Sequence, residues 1–349
     1  MSTSFFRTAF HTSHSTQKTP LARSLFLGAA ILTAGVSMMA PSAYAESAAN
    51  AKSTHVAVAA QSNPGYYGMK LGDFKITAVS DGSVMVDFTK LMNNTTPEEV
   101  TRLLARHYLG PQVETSINTF VIDTGDHVAI VDTGAGDIFG DKGGHLLDNL
   151  KAAGYQPEQI DAVLLTHIHG DHSSGLIRNG KMAFPNATVY VDQHDVDFWL
   201  NPANKTKVND TLKRGFDWAE QSVRPYLNAN KVKTFNSDGE LFPGVKTVAT
   251  HGHTPGHTVY EVESQGQRIR FLGDLLHIRD IQFARPEITI DFDVDSPEAA
   301  RQRLAAFNDA VEDGYLVGAA HIPFPGVGHV QRDGGAFEWI PVNYSAQVK

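Results

Sequence analysis

Thr166-His167-Ile168-His169-Gly170-Asp171-His172 packs three imidazoles and one carboxylate into the six residues from His167 to His172. The run follows directly on the apolar Ala162–Leu165, which reads as a buried strand. Successive side chains of an extended chain point to opposite faces, so His167 and His169 share one side. A turn at Gly170 then brings Asp171 and His172 back toward a second point. Neutral imidazole suits zinc and neighbouring first-row ions, and a carboxylate serves the same sites. One loop of this kind can feed two metal ions. A solvated, histidine-rich turn is the plainer reading, and the density of ligands counts against it.

Composition narrows the chemistry further. The 349 residues include no cysteine, which excludes thiolate nucleophiles and thiolate ligands alike. His, Asp, Glu and water remain as ligands, and stability has to come from an ordinary core rather than from disulfides. At the amino terminus Arg7, Lys18 and Arg23 stand without any acidic residue before Glu46. The apolar stretch from Leu25 to Ala40 leads to the small-residue pattern Ala43-Tyr44-Ala45. Together these predict a secretory signal peptide over residues 1–45, cut after Ala45, and a secreted or periplasmic protein. The apolar stretch is shorter than the ~20 residues a membrane span needs. Residues 46–63, rich in Ala and Ser, read as a flexible arm, and residues 64–349 as one α/β domain. Past residue 45, 26 basic residues face 38 acidic ones. Such an acidic surface argues against nucleic acid or an anionic membrane as partner.

Strands are expected at Phe74–Val79, Ile117–Ile122, Val128–Val131, Thr188–Val191, Val245–Ala249 and Ile269–Leu272. Thr96-Pro97-Glu98-Glu99 reads as a capping box opening a helix that Gly110 stops. Further helices are expected over His145–Ala153 and from Ser296 to Gly314, the latter with Leu304, Phe307 and Val311 on its apolar face. No G-x-S-x-G elbow is present, so nothing points to a serine nucleophile.

The Thr-His-x-His-x-Asp-His run resembles the signature of the metallo-β-lactamase superfamily. The resemblance implies an αββα sandwich with two metal ions along one edge. Later segments fit the family's order: Gly252-His253-Thr254-Pro255-Gly256-His257, Phe271-Leu272-Gly273-Asp274 and Ala320-His321. Carried over, one ion is held by His167, His169 and His253, and the other by Asp171, His172 and His321, with Asp274 bridging. Two divalent ions are implied, zinc (Zn2+) foremost, with other first-row ions as substitutes. Spacing alone leaves His251 open beside His253; motif position favours His253. His257 is expected to orient its loop, Asp132 to support a ligand histidine, and His329 to lie at the surface or behind a ligand. His194, between Asp192 and Asp195, reads as part of a solvated face.

Within the superfamily the chain resembles the methyl parathion hydrolase group and its lactonase or aryl-esterase relatives. The segments that carry this include Gly65-Tyr66-Tyr67, Leu71-Gly72-Asp73-Phe74, the run from Lys151 to Gln159, and Pro341-Val342-Asn343-Tyr344-Ser345. The resemblance implies a hydrolase of small uncharged esters, lactones or phosphotriesters, with Asp274 fixing the metal pair and Asp171 orienting the attacking oxygen. It also implies a homodimer, to which Phe337-Glu338-Trp339-Ile340-Pro341 would contribute. The group's apolar pocket maps onto Phe139, Trp199, Phe216, Ile290, Phe292 and Leu91, each of which has core packing as its alternative. His277 stands where the organophosphate-cleaving members are expected to carry an apolar side chain. An imidazole there would narrow the pocket and hydrogen-bond a carbonyl. This favours dihydrocoumarin-like lactones and aryl esters, with methyl parathion-type triesters as side substrates. An imidazole that faces away is the alternative. Competing readings are a phosphotriesterase, an acyl-homoserine lactonase, a β-lactamase and a metal-binding protein without turnover.

Overall fold

The computed structural model describes residues 63–236 and 238–348. The expected signal peptide and residues 46–62 of the expected arm lie outside the described residues. Seven strands form the first sheet, in the order Tyr66–Leu71, Phe74–Asp87, Gln112–Asp123, Val128–Val131, Ala162–Leu164, Thr188–Asp192 and Val232–Phe235. The first four pair antiparallel and the rest parallel. The second sheet runs Gly239–Phe242, Val245–Ala249, Thr258–Ser264, Gln267–Phe271, Leu316–Gly318, Val327–Asp333 and Ala336–Pro341, with one parallel pairing, between Gln267–Phe271 and Leu316–Gly318.

Side-chain alternation along these strands creates the layers. Val79, Val121, Ile130 and Val163 face outward, onto Leu146 and Leu150 of the helix Leu146–Ala152 and Phe216, Val223 and Tyr226 of the helix Gly215–Asn228. Their neighbours Ala78, Phe120, Ile122, Ala129, Val131 and Leu164 face inward and meet Val245, Tyr260, Val262, Ile269 and Phe271 of the second sheet. On the far side Val259 and Val317 pack against Phe307 and Ala310 of the helix Ser296–Asp313. The result is the αββα sandwich. Both strand faces are apolar because both are covered.

Local departures from the sequence reading have clear causes. Thr96 does cap its helix, accepting from the Glu99 amide at 3.2 Å, but the Glu99 carboxylate goes to Thr95 and Arg285. That helix ends at Ala105, before Gly110, and Tyr108 takes a left-handed φ of 59°. Leu304 is 45% exposed and so lies off the apolar face that Phe307 defines. The strand from Phe74 runs on to Asp87 through a bulge between Ser80 and Gly82, well beyond the expected end at Val79. Phe337 and Trp339 pack into the cluster between the second sheet and the helix Ser296–Asp313, while Ile340 beside them is 37% exposed.

Candidate metal centre

Each candidate ligand sits in a loop after the carboxyl end of a strand. The His167–His172 loop follows Ala162–Leu164, and His253 follows Val245–Ala249. Asp274 follows Gln267–Phe271, and His321 follows Leu316–Gly318. His169 is extended (φ −87°, ψ 160°), and the short helix Gly170–Ser173 then turns Asp171 and His172 back, as the turn at Gly170 requires. No larger residue fits at Gly170, where a Cβ would stand 2.5 Å from the Trp218 ring. The Tyr260 hydroxyl donates to the Leu165 carbonyl at 2.8 Å, and the Thr258 amide to the Thr166 carbonyl at 2.9 Å, locking the two sheets at this edge.

The seven side chains converge into two groups. His167, His169, His253 and Asp274 form one, and Asp171, His172 and His321 the other, with ligand atoms inside each group no more than 4.8 Å apart. The Asp274 carboxylate spans both. Its Oδ1 lies 3.1 Å from His172 Nε2 and 3.2 Å from His321 Nε2, while Oδ2 lies 3.3 Å from His253 Nε2 and 3.7 Å from His167 Nε2. Asp171 Oδ2 is 3.5 Å from His321 Nε2. His251 is elsewhere, against Asp192, which leaves His253 as the histidine of this loop at the centre.

Behind these groups stands a set of orienting hydrogen bonds. Asp132, at a left-handed φ of 59°, takes the Thr166 amide on Oδ1, and the Thr166 hydroxyl and His172 Nδ1 on Oδ2, all at 2.8 Å. His257 Nε2 accepts from the Asp274 amide at 3.0 Å, the loop-orienting role expected of it. His321 Nδ1 lies 2.9 Å from the Ser116 carbonyl. Of two further carboxylates, the sequence reading misses Asp293 and misplaces Asp195. Asp293 Oδ1 holds His253 Nδ1 at 2.8 Å. Asp195, taken with His194 as a solvated face, is fully buried and accepts from Ile168 N, Thr254 Oγ1 and Gly256 N, stitching the two histidine loops together. His194 itself is exposed, as is His329.

The donor set fits a pair of divalent cations. His167 Nε2, His169 Nε2, His172 Nε2 and Asp274 Oδ1 are buried without a hydrogen-bond partner, an arrangement that costs stability unless something else satisfies them. Burial holds His167 and His169 well below the usual imidazole range, keeping them neutral and ready to ligate. Burial would raise the Asp274 carboxyl, but His172, His321, His277 and His167 overcome it and hold the group well below the carboxylate range. Burial also opposes charge on His253, yet Asp274 and Asp293 outweigh it and push His253 up to about 9. Without a cation, protonated imidazoles balance these carboxylates. Two metal ions would do the same while using these four orphaned atoms.

A cavity of about 230 Å³ opens onto the centre. Phe139, Ile290, Phe292 and His277 line it as expected, together with His169, Asp171, Asp274 and His321. His277 faces inward: its Nε2 is 3.1 Å from Asp274 Oδ2, its ring stacks on His321 at 5.7 Å, and its Nδ1 is buried without a hydrogen-bond partner. Trp199, Phe216 and Leu91 do not line the cavity. Trp199 is 1% exposed and packs edge-on behind His169 at 4.9 Å, with Phe216 at its other side, so both belong to the core. Leu91 packs into the cluster around Phe88 and Met92. The walls that the sequence reading missed are Val84, Val86 and Phe88, and the trio Leu212, Gly215 and Trp218. A period of two marks the first set and a spacing of three the second, but only once the strand is known to continue past its bulge.

The sequence pattern of the Metallo-beta-lactamase superfamily matches residues 113–330. Among solved structures, the hydrolase AbOPH of the beta lactamase superfamily is 37% identical, with a TM-score of 0.77 over 82% of this chain and all of that one. AidC, a dizinc quorum-quenching lactonase in complex with a product, is 26% identical, with a TM-score of 0.74 over 80% of this chain and 98% of its own. An N-acyl homoserine lactonase of Bacillus thuringiensis is 24% identical over 250 residues, covering 68% of this chain and 88% of the relative. A family match over most of the described chain, on a sandwich whose edge gathers two His/Asp groups, places this chain in the metallo-β-lactamase superfamily as a metal-dependent hydrolase.

Proposed function

We propose that the protein opens lactones and cleaves activated aryl esters, with uncharged phosphotriesters as weaker substrates, in keeping with its likeness to the methyl parathion hydrolase group and its lactonase relatives. The observation that carries this reading is His277, a buried imidazole in the cavity wall with its Nε2 3.1 Å from Asp274 Oδ2. His167, His169 and His253 would hold one zinc ion, Asp171, His172 and His321 the other, and Asp274 both. When bound, the pair acidifies a water and polarises the oxygen of the bond under attack. Asp171, the most exposed of the seven at 27%, lines the cavity and would orient that water. His277 would donate a hydrogen bond to an ester carbonyl. Val84, Val86, Phe88, Leu212 and Trp218 exclude water around the rest of an uncharged substrate.

N-acyl homoserine lactones are the second reading, favoured by the likeness to the lactonases above and by an apolar wall that would take an acyl chain. The test is kcat/KM of zinc-loaded protein on dihydrocoumarin, N-hexanoyl-homoserine lactone and methyl paraoxon. Lactones should lead, and a phosphotriester preference of about tenfold or more overturns the proposal. His277→Leu should cut lactone turnover about tenfold, the worth of one hydrogen bond to the reacting carbonyl. Export and a homodimer complete the proposal. Amino-terminal sequencing of exported protein and light scattering test them, with cleavage expected after Ala45.

A further inference from the structure

Asp192, His194 and His251 form a third group of metal-ligating side chains, outside the cavity, with ligand atoms within 4.8 Å of one another. Asp192 ends the strand Thr188–Asp192 and caps the helix Gln193–Trp199 through the His194 amide at 2.7 Å. Its Oδ1 lies 2.7 Å from His194 Nδ1, and its Oδ2 3.1 Å from His251 Nε2. The two imidazoles converge on this carboxylate, their centroids 5.0 Å apart and their planes at 57°. Asp192 is buried while the His194 and His251 side chains are 53% and 34% exposed, so the anchor is fixed and the approach is open. His251, Asp295 and Glu298 line a surface cavity of about 600 Å³ beside the group. Asp195, Asp238 and Glu298 add negative potential around His251.

Two nitrogens and a carboxylate oxygen are the donor set of an open first-row metal site. Tetrahedral zinc, with bonds of about 2.0–2.2 Å, needs its ligand atoms roughly 3.3 Å apart, and the 3.1 Å contact between Asp192 Oδ2 and His251 Nε2 has to open only slightly to reach that spacing. Asp192 can ligate through Oδ2 and still cap the helix through Oδ1. We propose that Asp192, His194 and His251 bind one further divalent ion of the zinc or copper class, with water completing its shell, apart from the two ions of the catalytic centre. Such an ion ties the end of the strand Thr188–Asp192 to the loop that carries His253 two residues beyond His251.

Protein carrying its two tight ions, freed of excess metal by desalting, is titrated with Zn²⁺. Elemental analysis gives metal per chain and calorimetry gives affinity. Wild type should take up a third equivalent, and Cu²⁺ placed there should show nitrogen superhyperfine structure in its EPR spectrum. His194→Ala and His251→Ala should each weaken this uptake about tenfold or more, with the first two equivalents and kcat/KM as in wild type. Saturation of wild type at two ions overturns the proposal, leaving Asp192 a helix cap held by two hydrogen bonds. So does a third equivalent that survives both substitutions, or loss of a tightly bound ion in His251→Ala. Metal uptake is read without substrate, so the outcome is independent of which ester the enzyme cleaves.

Discussion

Replacing Asp293 by alanine should strip metal from the centre without touching a ligand. Asp293 is buried, holds His253 Nδ1 at 2.8 Å through Oδ1, and accepts the Ile290 amide at 3.1 Å through Oδ2. A proton fixed on Nδ1 by this carboxylate leaves the Nε2 lone pair facing the centre, 3.3 Å from Asp274 Oδ2. Alanine frees the ring to turn and to change tautomer. A hydrogen bond to a charged group contributes about 1.5–3 kcal/mol, and about 1.4 kcal/mol is a decade in affinity. The affinity for one ion should therefore fall about tenfold to hundredfold, the range typical of an orienting partner. The orphaned Ile290 amide adds roughly 1–3 kcal/mol of lost stability. Competition against a chromophoric chelator measures the first effect, and urea unfolding of the metal-free protein the second. Asp293→Asn, which can serve only one of the two donors, should fall between wild type and alanine in both assays. A folded Asp293→Ala protein that holds both ions within about threefold of wild-type affinity would refute the reasoning.

Trp199→Ala and Trp218→Ala should differ in kind. Trp199 fills the core behind His169, so its loss should cost about 3–5 kcal/mol in a denaturant melt and lower activity on all esters alike. Trp218, at the cavity, should raise KM most for the bulkiest ester while costing only about 1 kcal/mol of stability. Asp195→Ala orphans the Ile168 and Gly256 amides and should destabilise by roughly 2–6 kcal/mol in urea unfolding, with activity lost through drift of both histidine loops. Metal-free protein should be most stable near neutral pH. His172, His253 and His321 have raised pKa values in the fold, so their contribution is lost as pH climbs above 6.5, through about 9 for His253. His167, His169 and His257 have depressed ones, so stability is lost as pH drops below 6.5, where the unfolded chain takes up their protons. Thermal melts across pH 5–9.5 after chelation measure both limbs, and zinc should remove the alkaline one, because deprotonated imidazole is the ligand form.

The sequence revealed most where function is dense along the chain, and least where it is assembled from separate loops. Four of the seven candidate ligands stand in six residues, and apolar strands announce the layers, so cluster and sandwich are both visible in one dimension. Asp293 is not. It meets His253 across 40 residues, and its neighbours Phe292 and Val294 carry no period that marks a carboxylate aimed at an imidazole. Asp195 misled for the opposite reason. Charges at Asp192, His194, Asp195 and Asp197 look like a wetted helix, yet burial takes the first and third and leaves the others outside. Trp199 and Trp218 show the same limit for the cavity. Both are aromatic and both approach the centre, but one lies a layer too deep. What decides between them is Gly170, whose missing side chain lets the Trp218 ring close over the metal loop. Pocket identity in this fold is therefore a matter of which loop a small residue allows to come near. An aromatic alone predicts little until the residue facing it is known.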